Sequence, residues 1–322
     1  GYDNIPVNNS FTSNYQSFSL DEFELQNKIK YYLMSNGYYE NYSNSLVDKK
    51  DTLIFSNTNP VRISNPLSNK MEFLRTSLIP GLLNAASYNI KRNLNNFKLF
   101  ESGVIHKYVK DIDRKSVESN FISIIYVGGK IEHWRNSDGI DFYSTKGEIN
   151  SLFKFLRFKK IEFMDSKSIG FSKSFLIKID NVKIGLWGII DKNILKSYKI
   201  NSEIYGFEID YSKINKLYAK NKLVFKSPNK FPIITRDIAI EVDLDIKSKN
   251  IVKTIVDNGG NYLKDISLFD VYKGDKIDKN KISLAYSIKF QAKDKTLTDK
   301  EIDKVIDTII KCIVDKHNAK QR

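Results

Sequence analysis

The chain has 322 residues, 41% of them hydrophobic and 12% aromatic, with 52 Lys and Arg against 38 Asp and Glu. That length predicts about two domains, each able to bury its own core. No apolar run of about 18 residues occurs, so no transmembrane helix is expected, and the single cysteine, Cys312, excludes an internal disulfide framework and fits a cytoplasmic compartment. The formal charge of +14 favours an anionic partner. The excess is carried by lysine, with eight arginines, many Asn and Ile and few Gly and Pro. Such a skew matches base-composition drift, which adds lysine without building a site, and lysine lacks the bidentate fork of arginine.

Residues 1–18, beginning "GYDNIPVNNS", are polar and irregular, with neither a basic n-region nor an apolar h-region; no secretion signal is expected. The stretch lacks an initial Met and reads as the tail of a preceding module. "SLDEFELQNKIKYYLMSNG" opens with Ser19 and Glu22, an S-x-x-E capping box, and continues with Phe23, Ile29, Tyr32 and Leu33 at helical spacing before Gly37. This predicts a helix from Ser19 to Asn36. "YYENYSNSLV" and "DTLIFSN" read as strands, and Ser77–Lys91 as a helix with Pro80 in its first turn. Residues 97–108, 120–129, 174–180, 182–191 and 203–210 are β-branched or aromatic runs broken by Gly or Asn, as in an antiparallel sheet. Between them, 141–156 is a helix with Asp141 at its N-cap and Ile149, Leu152, Phe153 and Leu156 on one face. Helices and strands do not alternate strictly, which argues against a doubly wound parallel sheet.

Around residues 212–232 the pattern loosens and charge rises, placing a boundary near Val224. Then follow a strand ("TRDIAIEVD"), a helix ("IKSKNIVKTIVDNG"), two strands ("ISLFDVY", "KISLAYSIKFQ"), a helix ("TDKEIDKVIDTIIKCIVDKH") and a few residues for a last strand. This is the split βαβ, ferredoxin-like order. The fold class expected is α+β, with domains at 19–223 and 224–322.

Few residues suit metal or nucleophilic chemistry. His106, His133 and His317 lie far apart, with no metal-ligand spacing to one another or to Cys312. Gly128-Gly129 lacks the later Gly, Lys and Ser/Thr of a phosphate-cradling loop and reads as a turn. Cys312 sits in a periodic apolar run, as a small buried hydrophobe does.

Eight stretches nevertheless stand in a telling order: "GYDNIP", "NPLSNKMEFLRTSLIPGLLNAASYN", "LFESG", "DFYSTKG", "FPIITRDIAIEVD", "LFDVY", "SLAYSIKF" and "LTDKEID". Together they resemble bacterial phenylalanine–tRNA ligase β subunits over nearly the whole chain. The resemblance implies a class II synthetase-like antiparallel sheet domain with flanking helices, without activity, followed by a ferredoxin-like anticodon-binding domain. It also implies a cytoplasmic α2β2 enzyme that joins phenylalanine to tRNA(Phe) with ATP and magnesium, none of them held as a cofactor by this chain, and no membrane partner. A working class II site places an arginine and a nearby carboxylate on its second motif and a second arginine after a Gly-rich strand, fixed cations that stabilise phosphoryl charge. Here "LFESGVIHKY" has no arginine after its glycine, and "VKIGLWGIID" keeps Gly185 and Gly188 without a terminal arginine. The domain is therefore expected to keep the scaffold and lack the pocket. Arg75 is left either to bond a loop or to cross to a partner subunit. The family's first-motif helix and strand imply docking to the catalytic α subunit through Tyr31, Tyr32, Tyr38 and Tyr39, which as large amphipathic side chains also suit a core. A free-standing RNA-binding or scaffold module of the same descent is the alternative.

In a split βαβ fold both helices cover one sheet face. Ile282, Leu284, Tyr286, Ile288 and Phe290 alternate toward them, which leaves Ser283, Ala285, Ser287, Lys289 and Gln291 on the open face. Small polar side chains leave room for bases to lie on a sheet, with Lys289 near a phosphate. Arg236 is expected to touch RNA backbone or to tie the strand edge, and Asp270 and Tyr272 to meet a base edge or stack. Gln321 stands where the family places an apolar residue, so the last strand is expected to fray.

Overall fold

The computed structural model describes residues 2–4, 6, 22–109, 116–128, 139–221, 225, 227–274, 277–278 and 280–322. Ser19, Gly129, His133 and most of the 1–18 tail lie outside the described residues. The chain divides into two compact units, residues 1–223 and 224–322.

The first unit begins with α1 (Glu22–Ser35), β1 (Tyr38–Glu40), β2 (Leu46–Val47), α2 (Lys49–Leu53), β3 (Phe73–Leu74) and α3 (Ile79–Ile90). It continues with β4 (Phe97–Tyr108), β5 (Ser116–Val127), α4 (Phe142–Phe155), β6 (Ile161–Ser166), β7 (Phe171–Ile179) and β8 (Val182–Ile190). It closes with α5 (Lys192–Ser197), β9 (Ile204–Asp210) and α6 (Tyr211–Lys220). Among the described residues these build a seven-stranded sheet of order β1-β4-β5-β9-β8-β7-β6. Every pairing in it is antiparallel except β1 with β4.

Strand alternation gives the sheet two apolar faces. Phe100, Ile122, Ile124, Trp187, Phe207 and Ile209 pack under α1, α4 and α6. Leu99, Ile125, Val127, Ile190 and Ile204 pack under α3 and α5. Each fully buried side chain of this size contributes about 1.5–3 kcal/mol relative to exposure. On α1 the seam is Leu25, Ile29 and Leu33, spaced i, i+4, i+8, while Phe23, expected on that seam, is 69% exposed. Asp141 caps α4 by accepting from the Ser144 backbone N–H at 2.6 Å, within a reciprocal capping box.

Two sequence expectations are corrected here. "DTLIFSN" is no strand: Asp48 accepts from the Lys50 N–H and starts α2, which buries Thr52. Residues 211–220 are a helix, begun by Asp210 accepting from the Lys213 N–H at 3.1 Å. In both, an aspartate N-cap outweighs the local run.

The second unit contains β10 (Ile234–Asp243), α7 (Ser248–Asn258), β11 (Leu263–Tyr272), β12 (Lys281–Phe290), α8 (Asp299–His317) and β13 (Lys320–Gln321). Among the described residues they form a sheet of order β11-β12-β10-β13. Ile251, Ile255, Ile302, Ile306, Ile309 and Ile313 of the two helices pack on Ile238, Ile240, Val242, Leu284, Tyr286, Ile288 and Phe290. The last strand does form, pairing Gln321 with Ile240 and Lys320 with Glu241. Ladder hydrogen bonds come from backbone, so a polar side chain at position 321 does not prevent them.

Candidate nucleic-acid interface

The helix-free face of the second sheet is laid out by register. Tyr272, Ser283, Glu241 and Lys320 form one row, and Asp270, Ala285 and Ala239 the next. Ser267, Ser287 and Asp237 follow, and then Asp265, Lys289 and Thr235. The middle of this floor is therefore Ala239, Ala285, Ser267 and Ser287, with larger groups at its ends.

A β-bulge decides which part of β11 reaches this face. Strict alternation from Ile266, which faces the helices, would present Phe269 and Val271. The register shift between Leu268 and Asp270 presents Asp270 and Tyr272 instead. Tyr272 then meets the chain end. The Arg322 N–H donates to the Ala239 carbonyl at 3.0 Å, and its guanidinium carbon lies 5.3 Å from the Tyr272 ring centroid, a cation–π contact. Arg322 is a residue sequence reasoning did not select.

Charges on the face are largely matched. Lys289 Nζ lies 3.6 Å from Asp265, and Lys281 Nζ lies 3.8 Å from Glu241. Among the described residues Asp237 and Asp270 have no ion-pair partner. The face can hold flat rings over small side chains, stack one on Tyr272, and offer carboxylates to base N–H groups.

Two sequence-selected residues are not presented to solvent on this face. Arg236 shares the parity of Ile238 and Ile240, so its side chain turns to the helical face. There it donates to Asp299 at 2.5 Å and to Asp303 at 3.1 Å, tying β10 to the start of α8. Ser283 is on the open face but only 5% exposed. Its short side chain sits in the row between Tyr272 and Glu241, on the central strand, and is shaded by them.

In the first unit the four tyrosines separate. Tyr31 and Tyr39 are 67% and 68% exposed. Tyr32 stacks on Phe155 with ring centroids 4.5 Å apart. Tyr38 is buried and unavailable for docking: it bonds Glu148 and Tyr126, and burial pushes its phenol far above the ordinary range.

Arg75 is internal rather than at a subunit surface. It is 7% exposed, donates from Nε to the Val104 carbonyl at 2.8 Å, and pairs with Glu101 at 2.5 Å. Glu101 also accepts from Asn41 Nδ2 at 2.8 Å and from Ser43 Oγ. Two residues further, the same segment crosses the sheet: Ser77 Oγ and the Leu78 N–H each donate to Glu208 at 2.9 Å, joined by Ser123 Oγ at 2.7 Å. Desolvation outweighs these bonds and raises the Glu208 pKa. Gly185 and Gly188 serve strand packing, because a Cβ at either would collide with the backbone carbonyl of Glu208 or Lys173. The cation and glycines that could suit a nucleotide phosphate are thus committed within the fold.

Residues 11–211 match the family model described as phenylalanyl tRNA synthetase beta chain CLM domain, and residues 229–322 that of the ferredoxin-fold anticodon binding domain. The phenylalanine–tRNA ligase beta subunit of Pseudoalteromonas translucida is 32% identical over 334 residues, covering 100% of this chain and 41% of that protein. The same subunit of Carboxydothermus hydrogenoformans is 32% identical with the same coverage, and that of Listeria innocua is 30% identical over 99% of this chain and 40% of its own length. A solved pyrrolysyl-tRNA synthetase from Desulfitobacterium hafniense overlaps 61% of this chain and 68% of its own, with 12% identity and a TM-score of 0.47. The chain thus spans about 40% of the length of these curated relatives. With the first family model alone matching more than half of its residues, the chain belongs to the phenylalanyl-tRNA synthetase beta chain family.

Proposed function

We propose that this chain is the non-catalytic beta-subunit portion of a phenylalanine–tRNA ligase, which binds the anticodon region of tRNA(Phe) and assembles with a catalytic alpha subunit. The observation that carries the RNA reading is the open face of the second unit: a floor of Ala239, Ala285, Ser267 and Ser287 bounded by the Tyr272–Arg322 pair, inside the residues matched to an anticodon-binding domain. Stacking on such a platform tolerates any base, and the carboxylates beside it supply edge contacts.

Assembly with the alpha subunit, as α2β2 and in the cytoplasm, is part of the same reading. It is supported by the exposed Tyr31 and Tyr39 and by the partly exposed Met34 along α1 and β1, aromatic surface of the kind enriched at subunit contacts. ATP and magnesium belong in this reading to the alpha subunit, since Arg75 is held by Glu101 and offers no free fork to a phosphate.

The test is co-purification of this chain with an alpha subunit, followed by tRNA binding and charging. Charging that depends on both chains supports the proposal. ATP–pyrophosphate exchange by this chain alone would overturn it, and RNA binding without alpha-subunit binding would leave the free-standing module.

A further inference from the structure

We propose that a groove in the first unit, where the ends of α4 and α6 meet the β7–β8 turn, binds the phosphodiester backbone of RNA, giving the chain an RNA contact separate from the open sheet. The groove encloses about 450 Å³ and is lined by Arg157, Lys159, Lys160 and Lys220, with Asp180 as its acid. All four cations are exposed, and among the described residues none has a carboxylate within ion-pairing distance. Four unpaired like charges around one concave surface repel one another, and a polyanion relieves that repulsion while releasing its counterions.

Neither of two ordinary explanations for basic residues accounts for the whole group. Cations gather at helix C-termini to satisfy carbonyls. At the end of α4 Asn221 Nδ2 already does so, donating to the carbonyls of Leu156 and Arg157 at 3.3 and 2.9 Å, whereas Lys220 does lie in the last turn of α6. Lys159 and Lys160 lie beyond the end of α4, outside its last turn. Base-composition drift adds lysine, whereas Arg157 is one of eight arginines and occupies a left-handed position, φ 63°, where glycine or asparagine is the easier residue. An acidic protein is the poorer fit, because Phe158 in the wall is buried and no exposed aromatic anchor lines the groove.

The choice of RNA as the polyanion rests on the function proposed above; the groove is tested apart from it. Binding of labelled tRNA to the whole chain is followed by fluorescence anisotropy from roughly 50 to 300 mM KCl. The variant Arg157→Gly/Lys159→Ala/Lys160→Ala removes three charges and leaves the left-handed backbone unstrained. It is expected to bind about tenfold or more weakly, with the log–log salt slope reduced by about two to three. A control with Lys49, Lys192 and Lys196 changed to alanine is expected to move affinity less than about twofold. Thermal melting checks the fold, and Lys220→Glu, a single exposed change, gives a second loss if the triple variant does not fold. Parental affinity and slope in the groove variants overturn the inference. So does an equal loss in the control, or a loss seen for polyglutamate binding and not for tRNA. If Tyr272→Ala abolishes binding while the groove variants do not, the function stands and the groove does not; if the parent chain binds no tRNA, both fall.

Discussion

Arg75 and Glu101 form a buried ion pair, 2.5 Å from Nη1 to Oε1, with side chains 8% and 1% exposed. Asn41, Ser43 and the Val104 carbonyl complete the pair's hydrogen bonds, and a Cβ at Gly103 would crowd the guanidinium, which would have to shift. Removing one partner leaves the other charge buried. Arg75→Met or Glu101→Leu is expected to cost about 3–5 kcal/mol, and the double variant distinctly less than the sum. Urea unfolding followed by the fluorescence of buried Trp187 in the same unit measures this. Additive losses would mean that the two groups are not coupled.

Glu208 makes a pH prediction. Burial raises its folded-state pKa above 4.5, so above that pH the folded protein holds this proton more tightly than the unfolded chain does. Its contribution to stability therefore falls as pH rises through the raised value. Glu208→Gln keeps an acceptor for Ser77, Leu78 and Ser123 and removes the charge. The variant is expected to equal or exceed the parent in stability at pH 7 and to lose that advantage toward pH 4, as read from urea midpoints.

These two carboxylates show where the sequence was legible. Period-two alternation placed β4, β8, β10 and β12 within a few residues of their observed ends, because one face of each is buried and polarity reports it. The same alternation marked the floor residues Ala285, Ser287 and Lys289. It could not show that Arg75 and Glu101, 26 residues apart, meet in the interior. Nor could it show the bulge that brings Tyr272 round, since an inserted residue leaves no signature in composition. For Arg236 the sequence left RNA backbone and the strand edge as alternatives, and the geometry ties it to α8. The strand assigned to 51–57 fails for a simpler reason: its apolar run is short, and the Asp48 cap stands outside it.

Arg236→Ala is accordingly expected to act on the domain, not on RNA. Its side chain is 30% exposed, so losing both pairs costs at most about 1 kcal/mol. Filter binding of tRNA is expected to change less than about twofold. A large loss of affinity, with the melting temperature unchanged, would return Arg236 to the interface.

The start of α8 gives a second pH-dependent device. Glu301 accepts from the Thr298 N–H and Oγ1 at 2.9 Å each and from Lys295, which together hold its carboxyl well down, at about 2. A depressed carboxyl stabilises the fold above its unfolded value of 4.5, and that contribution is lost as pH falls toward 2. Glu301→Gln is expected to flatten acid unfolding of the second unit over this window, and Thr298→Ala to cost about 1 kcal/mol as a lost cap. Circular dichroism against pH checks both.

The open face is tested most directly by filling its floor. Ala285 and Ala239 are cross-strand partners in the middle row, flanked by Asp270. Ala285→Phe leaves the helix-side core of Tyr286, Ile288 and Phe290 untouched and adds a β-favourable side chain, so folding is expected to survive. A base can no longer lie flat there, and tRNA affinity is expected to fall with little change in salt slope, since no charge is altered. Tyr272→Ala removes a stacking partner worth about 1–3 kcal/mol, roughly five- to a hundredfold in Kd. Lys289→Ala is expected instead to weaken binding modestly and to lower the slope by about one. In the proposed assembly with an alpha subunit all three are expected to raise the KM for tRNA and to leave pyrophosphate exchange at its parental rate. An unchanged Kd for both Ala285→Phe and Tyr272→Ala would mean that RNA does not occupy this face.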